Sequence, residues 1–201
     1  MKRSEINKII DYTIDKAEFF KIPLPPFAFY ILEDWKKVTA DEAEIVDNML
    51  GWDITVFTFR NGNFNLKDKY PKNYCEKLLF VRDGQILPFH FHWYKMEDII
   101  NRGGGTLKLT LYNADENEGF ADTSVEVTVD GKNIIIPAGG EIFLKPGQSV
   151  TLKPYQYHQW QGVEGTGDIA LFEVSTTNDD TKDNRFYEAQ ARIPNVEEDE
   201  E

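Results

Sequence analysis

The chain has 201 residues, with 35 acidic against 22 basic side chains and a formal charge of -13. That length supports one well-developed core with attachments rather than two full domains. The acidic balance argues against nucleic acid and membrane partners, whose phosphates require clustered Lys and Arg.

From the N-terminus, Lys2, Arg3, Glu5 and Asp11 are mixed with apolar residues, so neither a signal peptide nor a spanning helix is expected. The single cysteine, Cys75, excludes an internal disulfide and is expected to be small and half-buried beside a strand. Both features fit a cytoplasmic protein. Ile6, Ile9, Ile10, Ile14 and Ala17 recur at helical spacing and predict an amphipathic helix over residues 4 to 20. Pro23, Pro25 and Pro26 then predict an extended wrapping segment, and Thr39 to Glu42 reads as a capping box opening a short helix that Gly51 closes.

From about residue 52 short strands follow one another: 54–59, 77–82, 85–93, 106–113, 124–129, 141–144, 149–153, 158–161 and 168–175. Asp83-Gly84, Asp130-Gly131 and Pro146-Gly147 supply turns between several of them. The pattern predicts an antiparallel sandwich or barrel over 53–190, an N-terminal helical arm over 1–52, and a disordered acidic tail over 191–201.

The densest chemistry lies in LPFHFHWYKMEDIINRGGG. On a strand His90 and His92 share one face, while Phe89, Phe91 and Trp93 share the other. Alternation alone turns Glu97 away from His92, and an irregularity between Tyr94 and Met96 is needed to bring Glu97 and Lys95 back. The remaining histidine, His158, lies on another predicted strand. Three imidazoles and a carboxylate suit a divalent ion such as Mn, Fe, Co, Ni or Zn, and ligand type alone does not choose among these. Gly103 to Gly105 are expected to form a tight turn after the ligand strand.

Gly84, His90-Phe91-His92, Glu97 and Gly104 reproduce the spacing of the first cupin motif, and Gly147, Pro154 and His158 a looser version of the second. The chain further resembles the D-lyxose isomerase family of cupins. The resemblance runs through LPPFAFY, EDW, HFHWYKMEDIINRGGG, YQYHQW and, most specifically, EVSTTNDDTKDNRF. It implies a mainly β cupin barrel, jelly-roll-like, with N-terminal helices. It also implies a manganese-dependent interconversion of D-lyxose with D-xylulose, and of D-mannose with D-fructose, with His90, His92, Glu97 and His158 as metal ligands.

Such a reaction moves a proton between adjacent carbons through a cis-enediolate, which needs a base beyond the ligands. Glu173 shares the parity of Ile169 and Leu171 and is the favoured base. Lys95 is expected to bind or protonate a substrate oxygen. Asp183 and Arg185 are expected to bind sugar hydroxyls, with Asp180 nearby in the same polar loop and Trp160 as an inward aromatic face. A structural pairing of Glu173 with Arg185 is the competing role for that carboxylate. A metal-dependent dioxygenase and a noncatalytic sugar-binding cupin are the alternative functions. Exposed sheet edges and the N-terminal arm favour a homodimer.

Overall fold

The computed structural model describes residues 2–24, 50–51, 54–66, 68–69, 71–179, 182–188 and 197–199. The chain divides into two compact units, residues 1–57 with 191–201, and residues 58–190. The wrapping segment from Pro25 onward and the capped helix expected near residue 40 lie outside the described residues.

In the first unit, helix α1 (Arg3–Phe19) buries Ile6, Ile9, Ile10, Thr13 and Ala17. Thr13 replaces Ile14 on the buried stripe because its hydroxyl donates to the Ile9 carbonyl at 2.8 Å, which satisfies its polar atom inside the helix. The Glu5 carboxylate reaches back to accept the Lys2 N–H at 2.8 Å, half of a capping box. The acidic tail, expected to be free in solvent, is tied to this helix at its described residues. Glu198 accepts a two-point fork from Arg3 at 2.6 and 3.0 Å, and Asp199 accepts from Ser4 at 2.7 and 2.9 Å. A low-hydropathy run becomes ordered here because the free N–H groups and positive end of a helix attract carboxylates. Strand β1 (Leu50–Gly51) pairs with the start of β2 (Ile54–Arg60) in the same unit.

The second unit takes up β2 and continues with β3 (Tyr74–Val81), β4 (Ile86–Phe91), β5 (Glu97–Gly104), β6 (Leu107–Asn113), β7 (Val125–Val129) and β8 (Lys132–Ile136). It is completed by β9 (Gly140–Leu144), β10 (Ser149–Leu152), β11 (Gln156–Gly162), β12 (Ile169–Thr176) and β13 (Arg185–Phe186). One sheet runs β2-β3-β12-β5-β10-β7-β8 and the other β13-β4-β11-β6-β9. The described ladders are antiparallel. Leu107, Leu109 and Leu111 of β6 and Ile169 and Leu171 of β12 are fully buried, each contributing about 1.5–3 kcal/mol through the surface it removes from water. Outward neighbours such as Ile135 and Val174 stay exposed, which is the two-faced pattern of a sandwich.

Four strands, β1, β5, β8 and β13, were not legible in the sequence. β5 carries Glu97, Asp98, Asn101 and two glycines, a poor intrinsic strand, and forms because β12 and β10 pair with it on both sides. Its register against β12 slips by one residue at Arg102, and the fully buried Asn101 secures the slip. The Asn101 amide donates to the carbonyls of Gly105 and Leu144 at 2.9 Å each and accepts the Gly103 N–H at 3.0 Å. Gly103 therefore belongs to a bulged strand rather than to the expected turn. The chain turns at Gly104, whose φ is 89°, and at Gly105, where a Cβ would lie 2.3 Å from the Gly167 carbonyl oxygen. Cys75 is fully rather than half buried.

Candidate active site

His90 and His158 are direct cross-strand partners on β4 and β11, so their rings leave the same inner face side by side. Their Nε2 atoms lie 3.0 Å apart. His92 follows one residue after β4, and the ligand nitrogens of all three imidazoles lie within 4.8 Å of one another. Each ring's Nδ1 faces a backbone carbonyl: His90 that of Pro88 at 2.9 Å, His92 that of Asp183 at 2.6 Å, and His158 that of Gln156 at 2.9 Å. A carbonyl only accepts, so each Nδ1 carries the proton and each Nε2 turns a lone pair inward. From the opposite sheet, Glu97 brings Oε1 to 3.2 Å from His158 Nε2 and 3.5 Å from His92 Nε2.

Two buried atoms here, His92 Nε2 and Glu97 Oε1, have no hydrogen-bond donor among the described residues. Lone pairs converging without a donor are costly unless a cation lies among them. The residues therefore fit a divalent ion held by His90, His92, His158 and Glu97, with mixed nitrogen and oxygen donors.

Burial, reinforced by His158 and His92, holds the His90 imidazole well below its ordinary range. Burial also pushes His158 down to about 4, against the opposing attraction of Glu97. Burial alone would raise Glu97, but Lys95 first and then His92 and His158 outweigh it and hold the carboxyl well below the usual range. The unfolded chain protonates these histidines near 6.5 while the folded chain does not, so it binds more protons in that window. Metal-free protein is expected to lose stability as pH falls from about 6.5 towards 4, with His158 alone accounting for about 3 kcal/mol. Urea midpoints measured across that range check this, and a flat profile would contradict the neutral, buried assignment.

Beside the imidazoles the larger sheet and the crossing that leads into it supply a row of alternating charges. Lys95 Nζ lies 2.7 Å from Glu97 Oε2 and 3.1 Å from Glu173 Oε1. Glu173 Oε1 also accepts the Ser175 hydroxyl at 2.9 Å and lies 3.3 Å from Lys77 Nζ. All of these side chains are at most 5% exposed. The contacts to Glu173 fall on Oε1, and Oε2 accepts no hydrogen bond among the described residues. A carboxylate anchored through one oxygen, with no hydrogen bond to the other among the described residues, is arranged to accept a proton.

A family model described as D-lyxose isomerase matches residues 1–201. The chain belongs to the D-lyxose isomerase family. It is 43% identical to the D-lyxose/D-mannose isomerase of Serratia proteamaculans, with 99% of this chain and 93% of the relative covered. It is 42% identical to the protein of the same name from Escherichia coli O157:H7, with 100% and 94% covered. Among solved structures, the ligand-free L-ribose isomerase of Cellulomonas parahominis matches over 98% of both chains with a TM-score of 0.64 at 15% identity. The L-ribose isomerase of Geodermatophilus obscurus matches over the same shares with a TM-score of 0.65 at 16% identity. At those identities the structural likeness establishes the fold, a mainly β cupin-type architecture.

In this member of the sugar-isomerase family the two sheets divide the labour. The smaller provides His90 and His158, and the larger provides Glu97, Glu173, Lys77 and Ser175. His92 and Lys95 sit on the crossing between the sheets, which supplies the irregularity between Tyr94 and Met96 that strand alternation required. Asp183 pins that crossing. Its carboxylate accepts the N–H groups of Tyr94 and Lys95 at 2.9 Å each, and its carbonyl accepts from His92. At 1% exposure and with both oxygens engaged, Asp183 is a brace for its neighbours, not the free hydroxyl-binding group expected from sequence.

Arg185 likewise departs from expectation. It donates to Glu118 Oε2 at 2.9 Å, and Glu118 Oε1 accepts the Trp93 indole N–H at 2.8 Å. Arg185 thus pairs with Glu118 and not with Glu173. These two donors hold the Glu118 carboxyl below the usual range, Trp93 first. The reason is register: Arg185 lies opposite Phe91, while Phe186 lies opposite His90 and stacks on its ring at 5.1 Å. Trp160 is 2% exposed, packs with its ring stacked on His158 at 6.0 Å, and leaves its indole N–H without a partner among the described residues. Asp180 lies outside the described residues.

Lys77, Ser175 and Phe186 were missed in the sequence. Lys77 shares strand parity with Cys75, Leu79 and Val81, and a lysine on the apolar face of a strand is the signal that would have found it.

Proposed function

We propose that the chain is an aldose-ketose isomerase interconverting D-lyxose with D-xylulose, and D-mannose with D-fructose, acting as a cytoplasmic homodimer. The observation that carries this reading is Glu173, fixed through Oε1 with no hydrogen bond to Oε2 among the described residues, in the same buried group as three converging imidazoles. The names of the two curated relatives support the choice of sugars.

His90, His92, His158 and Glu97 would hold the metal, for which we propose manganese. When bound, that ion supplies the Lewis acidity that polarises the sugar carbonyl. Glu173 Oε2 takes the proton from C2 of the aldose, and the electron pair left behind forms the carbon-carbon double bond of a cis-enediolate. The same oxygen then returns the proton to C1, while the O2 proton passes to O1, so that C1 becomes the hydroxymethyl carbon and C2 the ketone carbon. Lys95, held between Glu97 and Glu173, donates to the oxygen on which negative charge develops. Trp160 stacks on His158, and its indole N–H, without a partner among the described residues, is a candidate donor to the sugar. Water exclusion by the inward apolar rows strengthens each of these charge contacts.

Incubation of manganese-loaded protein with D-lyxose in deuterated water tests the proposal. The expected result is D-xylulose with solvent deuterium entering at C1. Unchanged sugar after trials with several divalent ions would remove the isomerase reading.

A further inference from the structure

We propose that Lys77 is a positioning residue for the proton-transferring carboxylate: with Ser175 it holds Oε1 of Glu173 so that Oε2 alone faces the substrate. This rests on the assignment of Glu173 as the base made above.

Lys77 is 3% exposed on β3, and its Cα is the direct cross-strand partner of Glu173 on β12. Its row continues with Leu79 opposite Leu171 and Val81 opposite Ile169, so an ammonium group stands where the sheet otherwise places hydrocarbon. Burying an ammonium costs free energy that ion pairing seldom returns in full, and an apolar residue of the same size generally serves stability as well or better. Its presence is therefore better explained by what it does to its partner.

The geometry shows that effect. Lys77 at 3.3 Å, Lys95 at 3.1 Å and Ser175 at 2.9 Å all converge on the same oxygen of Glu173. Lys95 also contacts Glu97 at 2.7 Å and is placed to turn towards substrate. Ser175 is itself held, accepting from the Asn178 side-chain amide at 3.2 Å. Lys77, by its ion pair, and Ser175, by its hydrogen bond, can thus keep the carboxylate plane fixed while Lys95 is engaged elsewhere. A carboxylate free to rotate about its last torsion would spend much of its time with neither oxygen aligned to C2, and a misplacement of about 1 Å can cost on the order of 10²-fold in rate.

The test compares Lys77→Met, Ser175→Ala and Glu173→Gln, singly and with each of the first two combined with the third. The readouts are kcat, KM for D-lyxose, bound manganese and the thermal midpoint. Lys77→Met is expected to lower kcat by roughly 10- to 100-fold with KM and metal content unchanged. Ser175→Ala is expected to lower kcat by roughly 3- to 10-fold in the same manner. Neither is expected to lower the residual rate of Glu173→Gln further, since both act through that carboxylate. A folded, metal-replete Lys77→Met protein with kcat within about twofold of the parent would overturn the inference, as would an additive loss in the Glu173→Gln background. Should Lys77→Met fail to fold, Ser175→Ala decides: its kcat must fall without a change in KM, or the inference is lost. Retained turnover in Glu173→Gln is a separate result, which removes the base assignment itself.

Discussion

Glu173→Gln is expected to remove turnover of D-lyxose almost completely, by about 10²- to 10⁴-fold, while manganese content and folding are retained. The amide keeps the size of the carboxylate and offers Lys95, Lys77 and Ser175 an oxygen in place of Oε1, so the surrounding hydrogen bonds can persist. What it lacks is a lone pair basic enough to take a proton from carbon. Loss of kcat without loss of metal separates this carboxylate from Glu97, whose Oε1 faces two imidazoles and whose replacement should reduce both. Steady-state rates combined with metal analysis of the same samples check this. A variant retaining more than about a tenth of parental kcat would transfer the base role elsewhere.

His158→Ala is expected to abolish both turnover and the stabilisation of the protein by manganese. His158 lies between the other donors, 3.0 Å from His90 Nε2 and 3.2 Å from Glu97 Oε1, so its removal opens the donor set at its centre. Ligand binding stabilises the folded state by mass action, by about 2.7 kcal/mol at a hundredfold excess over the dissociation constant. A thermal melt with and without manganese should therefore show a clear upward shift for the parent and none for the variant. An equal shift in the two proteins would mean that the ion binds elsewhere. Without metal the variant should also lose part of the acid sensitivity described above, because the group held down to about 4 is gone.

The local features that could be read before folding were those with a short-range signal. The His90 and His92 pair needs only strand alternation to share a face, and the parity of Glu173 follows from Ile169 and Leu171 beside it. Helix α1 was legible from its apolar stripe, although Thr13 displaced Ile14 once its hydroxyl had found the Ile9 carbonyl. β5 was illegible because pairing on both flanks, not the propensity of its own residues, makes it a strand. Arg185 and Phe186 could not be told apart in the sequence because a two-residue strand has no alternation to read, and only its register against β4 shows which of the pair meets His90. Asp183 carries the same lesson: a carboxylate in a polar loop is spent on the N–H groups of residues about 90 positions earlier.

By itself the sequence determined which chemistry the protein carries: an acidic, mainly β chain with three histidines and Glu97 in cupin spacing, and the residues of a sugar-isomerase family. Tertiary structure decided how that chemistry is arranged. It set imidazoles from one sheet against carboxylates and lysines from the other, placed Lys77 against Glu173, and turned Arg185 out to Glu118. The physical reason is that alternation and spacing act within one strand, whereas distances across a sandwich depend on strand order and register, which the whole core fixes at once.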